Sequence, residues 1–238
     1  MQVFIISIKF VVLKNILMRP ADRLYEIKSL IPATVKIVAV SKTKPASVIE
    51  ELYQESDHRI FGENRVQELD AKHKILPPDI DWHLIGHLQT NKIKYIASYV
   101  SLIQSVDSFR LLSEINKEAL KCNRIIPCLL QFHIAREEEK YGFSFDEAIR
   151  MLDDDLFYQL SNVSIRGVMG IATYTTDLQQ ISSEFNGLTR YFNSLKSKYF
   201  EAQTDFCEIS MGMTNDYLLA VEQGSTIVRI GSGIFGIR

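Results

Sequence analysis

The chain has 238 residues, 46% of them hydrophobic and 24% charged, which is ordinary globular usage and excludes disordered, collagen-like and coiled-coil architectures. With 27 Lys and Arg against 29 Asp and Glu, the formal charge is −2. That gives no field for holding nucleic acid or an anionic membrane, so neither is expected as a partner and any anionic ligand must be bound locally.

Residues 3 to 13, VFIISIKFVVL, are strongly apolar but too short to span a bilayer. No positive charge precedes them and no small-residue cleavage site follows, so they do not read as a secretory signal. Met18 is an alternative start, since Pro20 then opens a first helix with ADRLYEIKSL as its amphipathic body. Residues 1 to 17 are therefore read as an extension and 18 to 238 as the folded domain.

Beyond that point short apolar runs alternate with segments of helical period. There are eight runs: KIVAVS (36 to 41), RIF (59 to 61), WHLI (82 to 85), SLIQS (101 to 105), IPCLLQFHI (126 to 134), IRGVMGIA (165 to 172), FCEIS (206 to 210) and TIVRI (226 to 230). Most are continuously apolar, as parallel strands covered on both faces require. Between them, Pro45 suits the first position of a helix over ASVIEELYQE, and SFDE at residues 144 to 147 is a capping box. Ile181, Phe185, Leu188, Phe192 and Leu195 recur at helical spacing within a long helix over 178 to 200, and Gly224 should stop the helix DYLLAVEQ. Cys122, Cys128 and Cys207 are odd in number and lack C-x-x-C spacing, which suggests buried free thiols in a reducing cytoplasm.

Eight strands alternating with helices, without a linker or an internal repeat, suit a single α/β domain, a (β/α)8 TIM barrel, better than an open doubly wound sheet. Active sites in such barrels lie at the C-terminal ends of the strands. At the end of the first run stands Lys42. A lysine leaving an apolar strand into a barrel mouth is partly desolvated, which favours the neutral amine and Schiff-base chemistry, whereas the bland alternative is a snorkelling surface lysine. Lys44 is assigned to the loop or the next helix. After the second run, Gly62 permits a turn from which Glu63 and Asn64 would project into the mouth, or Asn64 caps the following helix. Gly86, His87, Gln89, Thr90 and Asn91 surround the next helix entrance. His83 and His87 are separated by Gly86 and lack a further ligand, so a metal site is not expected there.

The last two runs lead into EISMGMTNDY and VRIGSGIFG, which offer Ser210, Gly212 and Thr214 in one loop and Gly231, Ser232 and Gly233 in the other. Phosphate sites in this fold are commonly built from these two loops, although glycine-rich turns also occur wherever strands end. Alternation in TIVRI points Arg229 into the barrel, where its charge needs a partner. A lysine Schiff base, a phosphate cup and an Arg facing a pyridine nitrogen describe pyridoxal 5′-phosphate (PLP).

With the segments VAVSKTKP, FGENRVQE, WHLIGHLQTNK, IQSVDS, KYGF at Lys140, RGVMGIAT, EISMGMTNDY and GSTIVRIGSGIFG, the chain resembles the pyridoxal phosphate homeostasis protein family from about residue 20 to its end. That family is similar to the N-terminal barrel of alanine racemase (PLP fold type III). The resemblance implies that Lys42 carries PLP as a Schiff base, that Ser210, Gly212, Gly231 and Ser232 form the phosphate cup, and that Arg229 faces the ring nitrogen. It further implies Asn64 and Met169 near the ring and Ser105 near the pocket. His133 stands where many members carry asparagine.

The chain ends just after the eighth strand, leaving no sequence for the β domain that completes alanine racemases. The resemblance therefore implies a monomeric, non-catalytic, cytoplasmic carrier or regulator of vitamin B6, with apo PLP-dependent enzymes as possible recipients. An amino-acid racemase or lyase is the alternative. A sugar-phosphate barrel enzyme would use the same loops but lacks an evident acid–base carboxylate pair.

Overall fold

The structure is a computed structural model that describes residues 18–137 and 141–236. The expected extension over 1–17 and Lys140 of the KYGF motif lie outside the described residues. Eight parallel strands close into a barrel in chain order. They are β1 (Lys36–Val40), β2 (Ile60–Glu63), β3 (Asp81–Leu84), β4 (Leu102–Val106), β5 (Ile126–Phe132), β6 (Val163–Gly170), β7 (Glu208–Met213) and β8 (Ile227–Ile230). Closure is made where β1 pairs with both β2 and β8.

The helices form the outer layer. They are α1 (Pro20–Leu30), α2 (Ala46–Glu55), α3 (Val66–His73), α4 (Phe109–Lys121), α5 (Phe145–Leu152), α6 (Leu178–Tyr199), α7 (Tyr217–Glu222) and the short α8 (Ser232–Phe235). A 3-10 turn over Thr90–Tyr95 replaces an α-helix between β3 and β4. Pro20 takes the first turn of α1, the Ser144–Glu147 capping box opens α5, and Gly224 follows α7 with φ +94°. Pro45 is the cap of α2 rather than its first residue, because its ψ of 155° is still extended. Asn64 does not cap α3; β2 continues through Glu63 and Arg65 takes the cap position. Of the three free thiols only Cys128 is buried, and Cys207 is exposed.

Strand alternation sorts the side chains into two cores. Val38, Val40, Leu102, Leu129, Met169 and Ile227 fill the barrel interior. Their neighbours Ile37, Ala39, Phe61, Ile103, Leu130, Val168 and Val228 pack outward against the helices. This parity positions the site: Lys42 continues the inward series of Val38 and Val40, and Arg229 that of Ile227. Glu63 falls on the outward series of Phe61 and is fully buried. The expectation that it projects into the mouth is therefore corrected.

Candidate functional site

Lys42 stands two residues beyond the end of β1 and is exposed, so the partial desolvation expected of it is not observed. Its amine has no hydrogen-bond or ion-pair partner among the described residues. Lys44 behaves differently, because its ammonium donates to the carbonyls of Phe235 and Gly236 at 3.1 and 3.3 Å and ties down the end of α8. Thr43 between them has φ +63°, a left-handed conformation that a β-branched residue adopts only when held.

Across the β1–β8 seam, Gly231 lies against the carbonyl of Val40. The Thr214 hydroxyl accepts from the amides of Gly231 and Gly233, both at 3.3 Å, and so joins the loops after β7 and β8. Ser232 is exposed beside them. Gly212 has φ +90°, and a side chain there would lie 2.5 Å from the Ala220 Cβ. It lets β7 bulge and α7 pack closely, which sets the path of the Thr214 loop.

Ser210 sits deeper, within β7, and is fully buried. Its hydroxyl accepts from Arg229 Nη1 at 2.6 Å and donates to Gln104 Oε1 at 2.7 Å. Gln104 in turn donates to His83 Nδ1 at 2.9 Å. A line of hydrogen bonds thus crosses the barrel from Arg229 to His83. The other Arg229 nitrogen, Nη2, donates to the Gly170 carbonyl at 2.9 Å. Burial pushes Arg229 down to about 10, opposed by the nearby Asp216 charge, so it remains a guanidinium cation at neutral pH. Burial also pushes His83 down to about 3, leaving a neutral imidazole that accepts at Nδ1.

Met169 is fully buried in the interior and pairs in register with Ser210. Asn64 is half-buried at the mouth, and its backbone so closely abuts Gly86 that a Cβ at that glycine would fall 2.4 Å from the Asn64 carbonyl oxygen. Ser105 is fully buried and donates to the Gly86 carbonyl at 2.6 Å, holding the same loop. His87 is exposed, lies 3.0 Å from Asp107 and stacks on Tyr141 with ring centroids 4.0 Å apart. His83 and His87 thus serve separate contacts, and no cluster able to hold a metal occurs among the described residues.

The structure therefore brings Lys42, Arg229, Gly231 and Ser232 to one mouth, with Met169 on the interior face below. It links Thr214, already offered by the seventh loop, to the eighth, and it adds Gln104 and His83, which the sequence reading does not place beside Arg229. The inward parity of Gln104 with Leu102 in SLIQS was a signal that could have found the Arg229 line. Thr214 is named in the seventh loop by the sequence, but nothing local in MGMTND marks it as the link to the last loop.

This arrangement defines a barrel of the alanine racemase type, and the profile of the alanine racemase N-terminal domain matches residues 19–238. The chain belongs to the pyridoxal phosphate homeostasis protein family. It is 38% identical over 204 residues to the protein of that name from Aquifex aeolicus, covering 85% of this chain and 87% of that one. It is 36% identical to the human protein of that name, over 85% of this chain and 76% of that one. PipY of Synechococcus elongatus, solved with PLP bound, superposes with a TM-score of 0.82 at 34% identity, covering 91% of this chain and 100% of that one. Alanine racemase of Bartonella henselae shares the fold alone, with a TM-score of 0.69 at 15% identity over 92% of this chain and 61% of that one. No helix among the described residues is long and apolar enough to cross a membrane.

Proposed function

We propose that this chain binds PLP at the C-terminal mouth of its barrel, attached as a Schiff base to Lys42, and serves PLP homeostasis as a carrier rather than as an enzyme. The observation that carries this reading is the contrast between two lysines in one loop. Lys44 is committed to the end of α8, whereas the Lys42 amine is unpartnered beside a loop pair with underused amide donors. The PLP-bound state of PipY and the names of the relatives support it.

The donor set fits the cofactor. The amides of Gly231 and Gly233 share one hydroxyl acceptor at 3.3 Å, long for an N–H···O bond, and a dianionic phosphate is the stronger acceptor for them. Thr214, Gly231 and Ser232 would hold the phosphate, with Gly212 setting the loop path. Ser210 would act one step below, by aiming Arg229 at the pyridine nitrogen. Met169 would form the apolar wall beside the ring, Asn64 would present its side chain at the rim, and Ser105 would hold the Gly86 loop behind it. When bound, PLP supplies an aldehyde that condenses with a lysine amine, losing one water, and a ring able to accept electron density.

Arg229 stays protonated near neutral pH and gives up no proton to a ring nitrogen. That disfavours carbanion chemistry and supports a carrier, and the exposure of Lys42 supports exchange with apo PLP-dependent enzymes. Absorbance on adding PLP, followed by borohydride reduction and peptide mapping, should place the label on the peptide spanning residues 36 to 44. With L-alanine in deuterated solvent, steady D-alanine production should be absent by chiral chromatography. A turnover number of about 1 per second or above, within the ordinary enzyme range, would replace the carrier reading with an amino-acid racemase.

A further inference from the structure

We propose that Lys72 and Glu68 of α3 are positioning residues for Lys42, which they act on by clamping the two peptide groups that flank it; this rests on Lys42 being the attachment point. Lys72 Nζ donates to the Ser41 carbonyl at 2.9 Å, to Glu63 Oε1 at 2.6 Å and to Glu68 Oε1 at 2.7 Å. The same Glu68 oxygen accepts from the Thr43 amide at 2.5 Å. The carbonyl before Lys42 and the amide after it are thus gripped by side chains one helical turn apart. The Ser41 hydroxyl, donating to Glu63 Oε1 at 2.6 Å, ties the ends of β1 and β2 into the same cluster.

Two features indicate that the cluster does more than pack. The Lys72 side chain is 7% exposed and that of Glu63 is fully buried, and Glu63 Oε2 has no hydrogen-bond partner among the described residues. An apolar pair would fill this seam at less desolvation cost. The cluster also sits at a strained point of the backbone, the φ of +63° on the β-branched Thr43. Since the Lys42 amine makes no hydrogen bond or ion pair among the described residues, its location relative to a bound aldehyde depends on that backbone. Small misplacements of a reacting group are costly in rate.

The test uses the full chain and two ligands. PLP reads the position of Lys42 through the rate at which label becomes fixed by borohydride. Pyridoxamine 5′-phosphate has an amine in place of the aldehyde, so its affinity reads the phosphate and ring contacts without Lys42. Lys72→Met should slow fixation by about 10- to 100-fold, the effect of a misplacement on the order of 1 Å, with pyridoxamine phosphate affinity unchanged. Glu68→Ala keeps the Lys72 contacts with Glu63 and the Ser41 carbonyl, and removes the Thr43 amide's acceptor together with the Lys72–Glu68 pair. It should show a smaller fall with the same split, and it decides the matter if Lys72→Met does not fold. Glu68→Gln retains an acceptor for that amide and should recover most of the rate. Fixation at the wild-type rate in folded variants, or equal losses for both ligands, would overturn the proposal. Label on a peptide other than 36 to 44 in the unaltered protein would instead remove the reading of Lys42 beneath it.

Discussion

Lys36 and Lys42 lie at opposite ends of β1 with the same inward parity, and the protein treats them in opposite ways. Lys36 is ion-paired with Glu208, which also accepts from the Thr226 hydroxyl at 2.7 Å. Close by, Arg166 is ion-paired with Asp205, so each of these two cations is neutralised. At the C-terminal end Lys42 is unpartnered, and the charged contacts lie beneath its backbone, where Lys72 meets Glu63 and Glu68. Charge at the N-terminal end is spent on holding the barrel closed, the usual division of labour in this fold. At the other end it fixes the main chain and leaves the amine available.

The sharpest way to break that contrast is to remove each lysine in turn. Lys42→Ala should abolish borohydride-fixed cofactor outright, measured by mass spectrometry of the peptide spanning residues 36 to 44. Retention of label at Lys44 would mean that its contacts with Phe235 and Gly236 are not binding commitments. Next in size is Ser210→Ala, which takes from Arg229 one of two hydrogen bonds in a fully buried setting. A hydrogen bond to a charged group is worth about 1.5 to 3 kcal/mol, and a loss of that order should appear in chemical denaturation and as weaker PLP retention. If only stability falls, Arg229 supports the barrel without facing the ring.

The barrel was legible in the sequence because parallel strands covered on both faces are written as uninterrupted apolar runs, and eight of them had to close. Strand ends were less so. FCEIS placed the seventh strand at 206 to 210, whereas β7 runs Glu208–Met213, because a bulge at Gly212 extends it past the apolar run. The position of Lys42 was legible from the end of the first apolar run, and the inward direction of Arg229 from alternation in TIVRI. Ser210 was assigned to the cup from its neighbourhood in the chain, but its inward direction places its hydroxyl on Arg229. The Lys72 cluster left no local signature. It joins residues from β1, β2 and α3 that only the barrel's closure brings together, and a lysine in a helix ordinarily reads as a solvated face.

The polar line through the interior allows a finer test of the two ends. Burial pushes His83 down to about 3 and His58 to about 4, against about 6.5 for an unfolded histidine. Both folded values are depressed, so the stability of keeping these rings neutral is fully present above pH ~6.5 and is lost as pH falls toward the folded values. Between pH ~4 and ~6 the unfolded chain binds a proton at each ring that the folded chain does not. His83→Gln, which retains an acceptor for Gln104, should flatten the slope of stability against pH by about one proton, or about 1.4 kcal/mol per pH unit. An unchanged slope would mean that His83 takes up its proton in the folded state.

The smallest effect is expected at Lys36. Its side chain is 51% exposed against 11% for Glu208, and ion pairs open to water contribute about 0 to 1 kcal/mol. Glu208 has limited access to water, which favours the upper part of that range, but it keeps the Thr226 hydroxyl when the lysine is lost. Lys36→Met should therefore cost no more than about 1 kcal/mol in denaturant. Cofactor fixation should be unaltered, because the apolar layer of Val38, Val40, Leu102, Leu129, Met169 and Ile227 separates this end from Lys42. Only one polar path crosses that layer among the described residues, from His83 through Gln104 and Ser210 to Arg229. Loss of PLP affinity in Lys36→Met that disappears when Gln104→Leu is added would show that this path couples the two ends of the barrel.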